Sequence, residues 1–246
     1  MDRRGTGGAR RLSRRELISG TALAAAAVIA SLATPPSALA APPPPGPAHT
    51  PDEVLRALVE GNRRFVDGQA AGPRRQPADF AAVAEGQSPA GVIVGCADSR
   101  VPPEVVFDQG VGDLFVVRVA GNVVRGAGGV VKGSIEYAVA ELGVPLIMVL
   151  GHSGCGAVKA ALKHIDNSDK VPGAIKELVD TLRPVVAGVR GRPGDPLDNA
   201  IRANVVSGVE RLKGLAPILA PAVKAGRLKV VGAVYDLRTG SVTQIV

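Results

Sequence analysis

The sequence predicts a single α/β domain with a mainly parallel central β-sheet flanked by helices and a C-terminal antiparallel edge strand. Three short runs rich in Val, Ile and Leu are almost continuously apolar, which is typical of strands buried on both faces of a parallel sheet. These runs are Gly91–Cys96, Leu114–Val119 and 145–150. Longer segments with apolar residues at helical spacing lie between and after them, a pattern that favours an α/β architecture. They cover about 129–142, 156–165, 173–189 and 197–213.

Both ends of the domain carry local signals. Thr50-Pro51-Asp52-Glu53 combines an N-cap residue, a proline at the first helical position and a capping-box glutamate, so a helix is expected to begin there. The apolar residues of this helix are Val54, Leu55, Leu58 and Phe65. At the other end, 228–236 and 241–246 flank Arg238-Thr239-Gly240, which predicts a terminal hairpin and hence the edge strand.

Residues 1–40 are expected to be an export signal peptide. Arginines precede an uncharged stretch from Leu17 to about Ala33, and small residues follow it as far as Ala41. The pair Arg14-Arg15 resembles the twin-arginine export motif, so we expect cleavage after Ala40 and a location in the periplasm, the cell envelope or the medium. Because the uncharged stretch is shorter than about 18 residues and contains Ser, Thr and Gly, no stable membrane span is expected after cleavage.

The segment 41–49 is rich in proline and is expected to be a stiff linker, which leaves 50–246 as the folded domain. Composition excludes several classes for that domain. A hydrophobic content of 46% excludes a wholly disordered chain. The net charge is +7, but residues 1–40 hold six arginines against Asp2 and Glu16, so most of the excess belongs to the signal. With 2% aromatic residues and no Trp, nucleic-acid binding is not expected.

Reactive side chains are concentrated after two of the predicted strands. Cys96-Ala97-Asp98-Ser99-Arg100 comes at the end of the first strand, and Gly151-His152-Ser153-Gly154-Cys155-Gly156 follows the third. Functional loops in open parallel sheets follow the carboxyl ends of the strands. If the two strands are neighbours, both cysteines and one of the three histidines meet at one edge of the sheet.

Cys96, His152 and Cys155 form a ligand set suited to Zn²⁺, and three protein ligands with an open fourth place are typical of a catalytic zinc site. Asp98 is a candidate for the fourth metal ligand; alternatively, Arg100 holds its carboxylate in a bidentate pair. A disulfide is the competing interpretation, because two cysteines in an exported protein commonly pair. The position of each cysteine among polar groups at a strand end favours the metal site.

The combination of Cys96-x-Asp98-x-Arg100 with His152-x-x-Cys155 resembles the signature of the β-class carbonic anhydrases. The resemblance covers about 50–246 and includes the two segments Arg118-Val119-Ala120-Gly121-Asn122 and Ser134-Ile135-Glu136-Tyr137-Ala138. It implies one Zn²⁺ per subunit on Cys96, His152 and Cys155, with Asp98 and Arg100 as a catalytic pair that controls access to the metal. The implied reaction is the reversible hydration of carbon dioxide to bicarbonate and a proton by a zinc-bound hydroxide.

The resemblance also implies a substrate pocket. Phe115, Ala120 and Tyr137 match positions that line a small apolar site for carbon dioxide, and Gln87 matches a substrate-binding glutamine that reaches the site of a neighbouring subunit. A homodimer or a dimer of dimers is therefore expected. The backbone amide of Gly156 is a further candidate, because an N–H group there can stabilise the oxygen that becomes negative.

Two other functions fit the same residues. One is a zinc hydrolase of the same fold that acts on carbonyl sulfide or carbon disulfide. The other is a non-enzymatic exported domain with a Cys96–Cys155 disulfide.

Overall fold

Five strands form one sheet in the computed structural model, which describes residues 49–165 and 170–246. The strands are β1 Gly91–Cys96, β2 Leu114–Val119, β3 Leu146–His152, β4 Lys229–Tyr235 and β5 Val242–Gln244. Their spatial order is β2-β1-β3-β4-β5. The first four are parallel to their neighbours, and β5 runs antiparallel to β4 at the edge. The fold class expected from the sequence is confirmed.

Helices fill the connections between the strands. The α-helices are α1 Pro51–Val66, α2 Pro103–Val106, α3 Gly128–Ala140, α4 Gly156–Lys163, α5 Ile175–Ala187, α6 Pro196–Lys213 and α7 Leu219–Lys224. Two 3₁₀ helices cover Pro77–Val83 and Ala120–Asn122. The four helices expected within 129–213 all form, with ends shifted by up to two residues. The short α2 and α7 and both 3₁₀ helices were not expected from periodicity, since each spans too few turns to show one.

The sheet separates two apolar clusters. Alternate side chains of each strand point to opposite faces, so Val92 and Val94 join one cluster while Ile93 joins the other. The first cluster contains residues of α3 to α7, and the second contains residues of α1 and α2. Both faces are therefore covered, which explains why β1 and β3 are buried along their whole length.

The start of α1 is capped as the sequence predicts. The Glu53 backbone N–H donates to Thr50 Oγ1 at 3.3 Å, and the Thr50 N–H donates to Glu53 Oε2 at 2.8 Å. This reciprocal pair satisfies two backbone donors at the helix start. Val54 and Leu58 of α1 then pack against the sheet beside Ile93.

Strand β3 differs from the 145–150 expected for it. It begins at Leu146 and continues to His152, because Gly151 and His152 stay in register with Val234 and Tyr235 of β4. The predicted strand ended at Leu150, the last residue of the apolar run, whereas the backbone pairing extends two residues further. His152 therefore belongs to a rigid, buried strand rather than to a loop.

Helix α6 lies unusually close to the sheet. A Cβ atom built on Gly232 of β4 would lie 2.6 Å from Val205 Cγ1, 2.8 Å from Val246 Cγ1 and 3.0 Å from Val209 Cγ2. A methyl group cannot be accommodated at these distances without moving stiff β-branched side chains. Glycine at this position therefore fixes how closely α6 approaches the sheet.

The expected export signal at 1–40, and the linker at 41–49 apart from His49, lie outside the described residues. Within the described part of the chain, no helix combines the length and the apolar character that crossing a membrane requires.

Gly232→Ala is expected to lower the free energy of unfolding by about 1–3 kcal/mol, because the added methyl group overpacks the contact between α6 and β4. Gly133→Ala on α3 is the matched control: nothing lies within 4 Å of its Cβ position. At Gly133, the higher helix propensity of alanine should raise the free energy of unfolding by about 0.5–1 kcal/mol. Urea unfolding followed by circular dichroism measures both variants. Equal stability of the two would contradict the close approach of α6.

Candidate metal centre

The pairing of β1 with β3 brings the two reactive loops together. Val94 is in register with Val149, and Gly95 with Leu150. Cys96 is the next residue of β1, and His152 lies two residues beyond Leu150. Both strands end at the same edge because they are parallel, so the loops expected to carry the chemistry leave the sheet side by side.

Cys96, His152 and Cys155 form a cluster that can hold a metal ion. Their ligand atoms all lie within 4.8 Å of one another. The three residues are buried, with relative exposures of 5%, 0% and 1%. Two sulfurs and one imidazole nitrogen are the donor types that Zn²⁺ takes in proteins, and three of them leave a fourth coordination place.

The hydrogen bonding of His152 fits this interpretation. Its Nδ1 lies 2.9 Å from the Ser153 carbonyl oxygen, which makes Nδ1 the donor of the neutral ring. Nε2 then carries the lone pair, and it is buried without a hydrogen-bond partner among the described residues. A buried imidazole nitrogen that no protein donor satisfies, next to two sulfurs, is what a metal ligand requires.

Cys96 is surrounded by backbone donors. The N–H groups of Gly121 and Asp98 donate to its Sγ at 3.2 Å and 3.4 Å. Gly121 has φ +70°, and a Cβ there would lie 3.1 Å from Ala157 Cβ. Only glycine adopts this left-handed conformation readily and leaves room for the neighbouring helix. The turn at Ala120–Asn122 therefore delivers an N–H group to the sulfur.

Cys155 is the N-cap residue of α4. Its side chain makes no capping hydrogen bond, but the backbone N–H groups of Val158 and Ala157 act to lower the pKa of its thiol. The first N–H groups of a helix have no partner within the helix and carry partial positive charge. They favour a negatively charged sulfur at this position.

The two neighbouring cysteines shift each other's pKa in opposite directions. Contact with Cys155 lowers the pKa of Cys96, and the backbone amides of Asp98 and Gly121 lower it further, although burial opposes the shift. The same contact with Cys96, together with burial, raises the pKa of Cys155. Such a pair titrates as a unit. Because a metal ion would bind the deprotonated sulfurs, metal affinity is expected to increase with pH.

Asp98 is held by Arg100. Arg100 Nε donates to Asp98 Oδ1 at 2.9 Å, Nη2 donates to Oδ2 at 2.8 Å, and the Arg100 backbone N–H donates to Oδ1 at 3.0 Å. These bonds hold the pKa of the Asp98 carboxyl well below its usual range, the side-chain bond from Arg100 contributing most. Asp98 Oδ2 lies 3.7 Å from His152 Nε2. Of the two expected arrangements, the structure shows the bidentate pair with Arg100.

Arg118 fixes the backbone of the loop after β1, a role that the sequence did not reveal. Its Nε donates to the Cys96 carbonyl at 2.9 Å, and Nη2 donates to the Asp98 carbonyl at 2.5 Å. A charged donor to two carbonyls of one loop restricts both residues. The only signal in the sequence was a charged residue inside an otherwise apolar strand, at the end next to the site.

Of the residues expected to line the substrate pocket, Phe115 lies on β2, Ala120 directly follows this strand, and Tyr137 lies on α3. The ring centroids of Phe115 and Tyr137 are 6.3 Å apart, and Tyr137 is 47% exposed. Ala120 lines a separate cavity of about 230 Å³ with Val119, Leu178 and other residues. Gln87 is exposed in the segment before β1, and Gly156 is the first residue of α4.

Comparison with known proteins decides the family. The family model described as "Carbonic anhydrase" matches residues 91–242, which include both reactive loops. Carbonic anhydrase 2 of Mycobacterium tuberculosis is 42% identical over 194 residues, which cover 79% of this chain and 92% of that protein. The chain belongs to the β-carbonic anhydrase family. The β class is evident from solved relatives, among them the Coccomyxa β-carbonic anhydrase, with 33% identity, a TM-score of 0.61 and coverage of 78% and 86% of the two chains.

Tetrameric β-carbonic anhydrases of Sordaria macrospora also match, with 26% identity, a TM-score of 0.62 and coverage of 78% of this chain and 96% of theirs. Membership of this family and the Cys-His-Cys cluster identify Zn²⁺ as the cofactor. Both cysteines are free thiols in the structure, contrary to the alternative of a Cys96–Cys155 disulfide. The family's name also disfavours carbonyl sulfide or carbon disulfide as the substrate.

His152→Ala is expected to abolish stoichiometric zinc binding, because it removes one of three ligands from a site with no nearby replacement histidine. Elemental analysis of the purified protein should give one zinc per chain for the wild type and close to none for the variant. The control is His164→Ala at the end of α4, which should retain the metal. Loss of zinc from both variants, or from neither, would contradict the assigned site.

Proposed function

We propose that this protein catalyses the reversible hydration of carbon dioxide to bicarbonate and a proton at the Cys96–His152–Cys155 centre. The observation that carries the proposal is the combination of three buried ligand atoms within 4.8 Å with a carboxylate that Arg100 keeps beside them. This arrangement supplies a metal site with a free place and a fixed hydrogen-bond acceptor next to it. Both are needed to activate water.

Cys96, His152 and Cys155 would hold Zn²⁺, which would supply the Lewis acidity that makes water more acidic. Asp98 would accept a hydrogen bond from the attacking water and so orient it. Because Arg100 holds the pKa of Asp98 low, this carboxylate is ionised and available as an acceptor throughout the neutral range. Arg100 also prevents the Asp98 carboxylate from rotating, because three of its N–H groups donate hydrogen bonds to the two carboxylate oxygens.

The remaining residues would bind carbon dioxide and stabilise the product. Gly156 begins α4, and the N–H groups of a helix's first turn attract the oxygen that gains negative charge. Carbon dioxide carries no net charge, so apolar walls suit it better than polar ones. Phe115, Ala120 and Tyr137 are the residues we assign to these walls.

A second subunit would complete the pocket. Within one chain Gln87 is exposed, and Phe115 and Tyr137 do not share the cavity that Ala120 lines. A homodimer in which Gln87 of one subunit reaches the site of the other would supply the missing wall and a polar group for bicarbonate. The tetrameric relatives of Sordaria macrospora support assembly, including a dimer of dimers.

We also propose that the protein is exported. Arg14-Arg15, the uncharged stretch after Leu17 and the small residues before Ala41 support a twin-arginine-type signal. Export in a folded state would allow zinc to be bound before the chain crosses the membrane. In that order, the two free cysteines are already occupied when they reach an oxidising compartment.

Stopped-flow measurement of carbon dioxide hydration tests the reaction. The zinc-loaded protein should be active, and Asp98→Asn should lower kcat/KM by about 10²-fold or more because the acceptor for the attacking water is lost. The zinc content of this variant should not change. Asp180→Asn is the control, since Asp180 pairs with Lys176 and Arg183 on the exposed side of α5. An inactive zinc-loaded wild type would refute the proposed reaction, and full activity of Asp98→Asn would refute the role of Asp98.

Replacing Arg14 and Arg15 by lysine together should retain the full-length precursor inside the cell, because it keeps the charge but removes the paired arginines. Cell fractionation with an antibody to the domain measures this, and Arg10 and Arg11 replaced by lysine serve as the matched control. Export of both double variants would contradict a twin-arginine signal.

A further inference from the structure

The turn at Ala120–Asn122 contributes no metal ligand, yet it touches one directly. Gly121 donates its N–H to Cys96 Sγ at 3.2 Å, and this contact is buried. The backbone of Gly121 must keep φ near +70° for the N–H to face the sulfur. Glycine is the most flexible residue in this respect, so something outside the turn has to select this conformation.

A single side chain from α6 fulfils that requirement. Asn204 Nδ2 donates to the Gly121 carbonyl oxygen at 2.8 Å, across 83 positions of sequence. Asn204 is 7% exposed, so water competes little for this bond. The bond fixes the peptide that follows Gly121, while the N–H that faces Cys96 belongs to the peptide that precedes it. The two peptides are joined at the Cα atom of Gly121. Fixing the peptide that follows Gly121 therefore limits rotation of the peptide whose N–H faces Cys96.

The position of Asn204 is itself fixed by close packing. Val205, the next residue on α6, lies against two glycines of the sheet: a Cβ on Gly151 would be 2.6 Å from its Cγ2, and one on Gly232 would be 2.6 Å from its Cγ1. A helix seated this closely has little freedom to slide or rotate. The short asparagine side chain can therefore reach Gly121 reproducibly.

We propose that Asn204 is a positioning residue of the metal centre, which holds the Gly121 N–H on Cys96 Sγ and thereby tunes how strongly this sulfur binds zinc. The inference rests on the role of Cys96 as a zinc ligand in the proposed function. Hydrogen bonds to a ligating sulfur stabilise its negative charge and orient it. Removing such an outer contact typically weakens metal affinity by about 10–100-fold.

Zinc release to a chromogenic chelator measures this effect without carbon dioxide. The zinc-loaded full chain is compared with Asn204→Ala and with Asn204→Leu, which preserves more of the side-chain volume. Asn199→Ala is the matched control, because Asn199 lies on the same helix and its Nδ2 also donates to a backbone carbonyl, that of Pro193, at 3.0 Å. We expect release from both Asn204 variants to be about 10-fold faster or more, and release from Asn199→Ala to match the wild type.

A spectroscopic readout separates positioning from general support of the fold. In the Co²⁺-substituted protein, the sulfur-to-metal charge-transfer band reports the electron density on the ligating sulfurs, so this band should shift in Asn204→Ala and remain unchanged in Asn199→Ala. If Asn204→Leu does not fold, zinc release and the charge-transfer band of Asn204→Ala alone test the proposal. Wild-type release with an unshifted band in Asn204→Ala would overturn the proposal, as would equally fast release from Asn199→Ala.

The outcome is separable from that of the proposed function. Fast zinc release from Asn204→Ala supports the positioning role even if the wild type does not hydrate carbon dioxide. An active wild type, combined with unchanged zinc release and an unshifted band in Asn204→Ala, overturns the positioning role alone.

Discussion

Parallel pairing of β1 with β3 is the constraint on which the metal centre depends. The pairing places Gly95 opposite Leu150, so the strands end together and Cys96 and His152 leave the sheet at the same edge. Neither residue sits on a flexible segment, because each is the last residue of a buried strand. Cys155 then follows His152 within one turn and caps α4. The ligand geometry is therefore a consequence of strand register and of one helix start.

Burial of two sulfurs would be unfavourable if they were charged and unsupported, and the surrounding groups compensate for this. Backbone N–H groups of Gly121 and Asp98 face Cys96, and the start of α4 faces Cys155. The nearby carboxylate is neutralised by Arg100 in a pair that uses both oxygens. Charge is thus balanced locally, by backbone dipoles for the sulfurs and by a guanidinium for the carboxylate. This balance leaves Asp98 free to accept a hydrogen bond from water.

Local sequence signals predicted the strands, the larger helices and the grouping of Cys96, His152 and Cys155, because short runs of neighbouring residues encode the strands, the helices and the loops that follow them. The capping box at Thr50 and the cysteines at strand ends are examples. The sequence did not reveal the hydrogen bonds from Arg118 to the loop after β1, or the hydrogen bond from Asn204 to the Gly121 carbonyl. The Arg118 bonds depend on the register of β1 with β2, and the Asn204 bond spans 83 positions of sequence and depends on the spacing of α6 from the sheet. No local periodicity encodes such a distance.

The central claim is that Cys96, His152 and Cys155 hold zinc while Asp98 remains paired with Arg100. Zinc-edge X-ray absorption spectroscopy on the purified holoprotein at neutral pH, combined with a crystal structure of the same preparation, tests it most directly. The account predicts two sulfur ligands and one imidazole nitrogen from the protein, with the Asp98 carboxylate on Arg100. A bond between Asp98 and zinc under these conditions, or a Cys96–Cys155 disulfide in place of the metal, would contradict it.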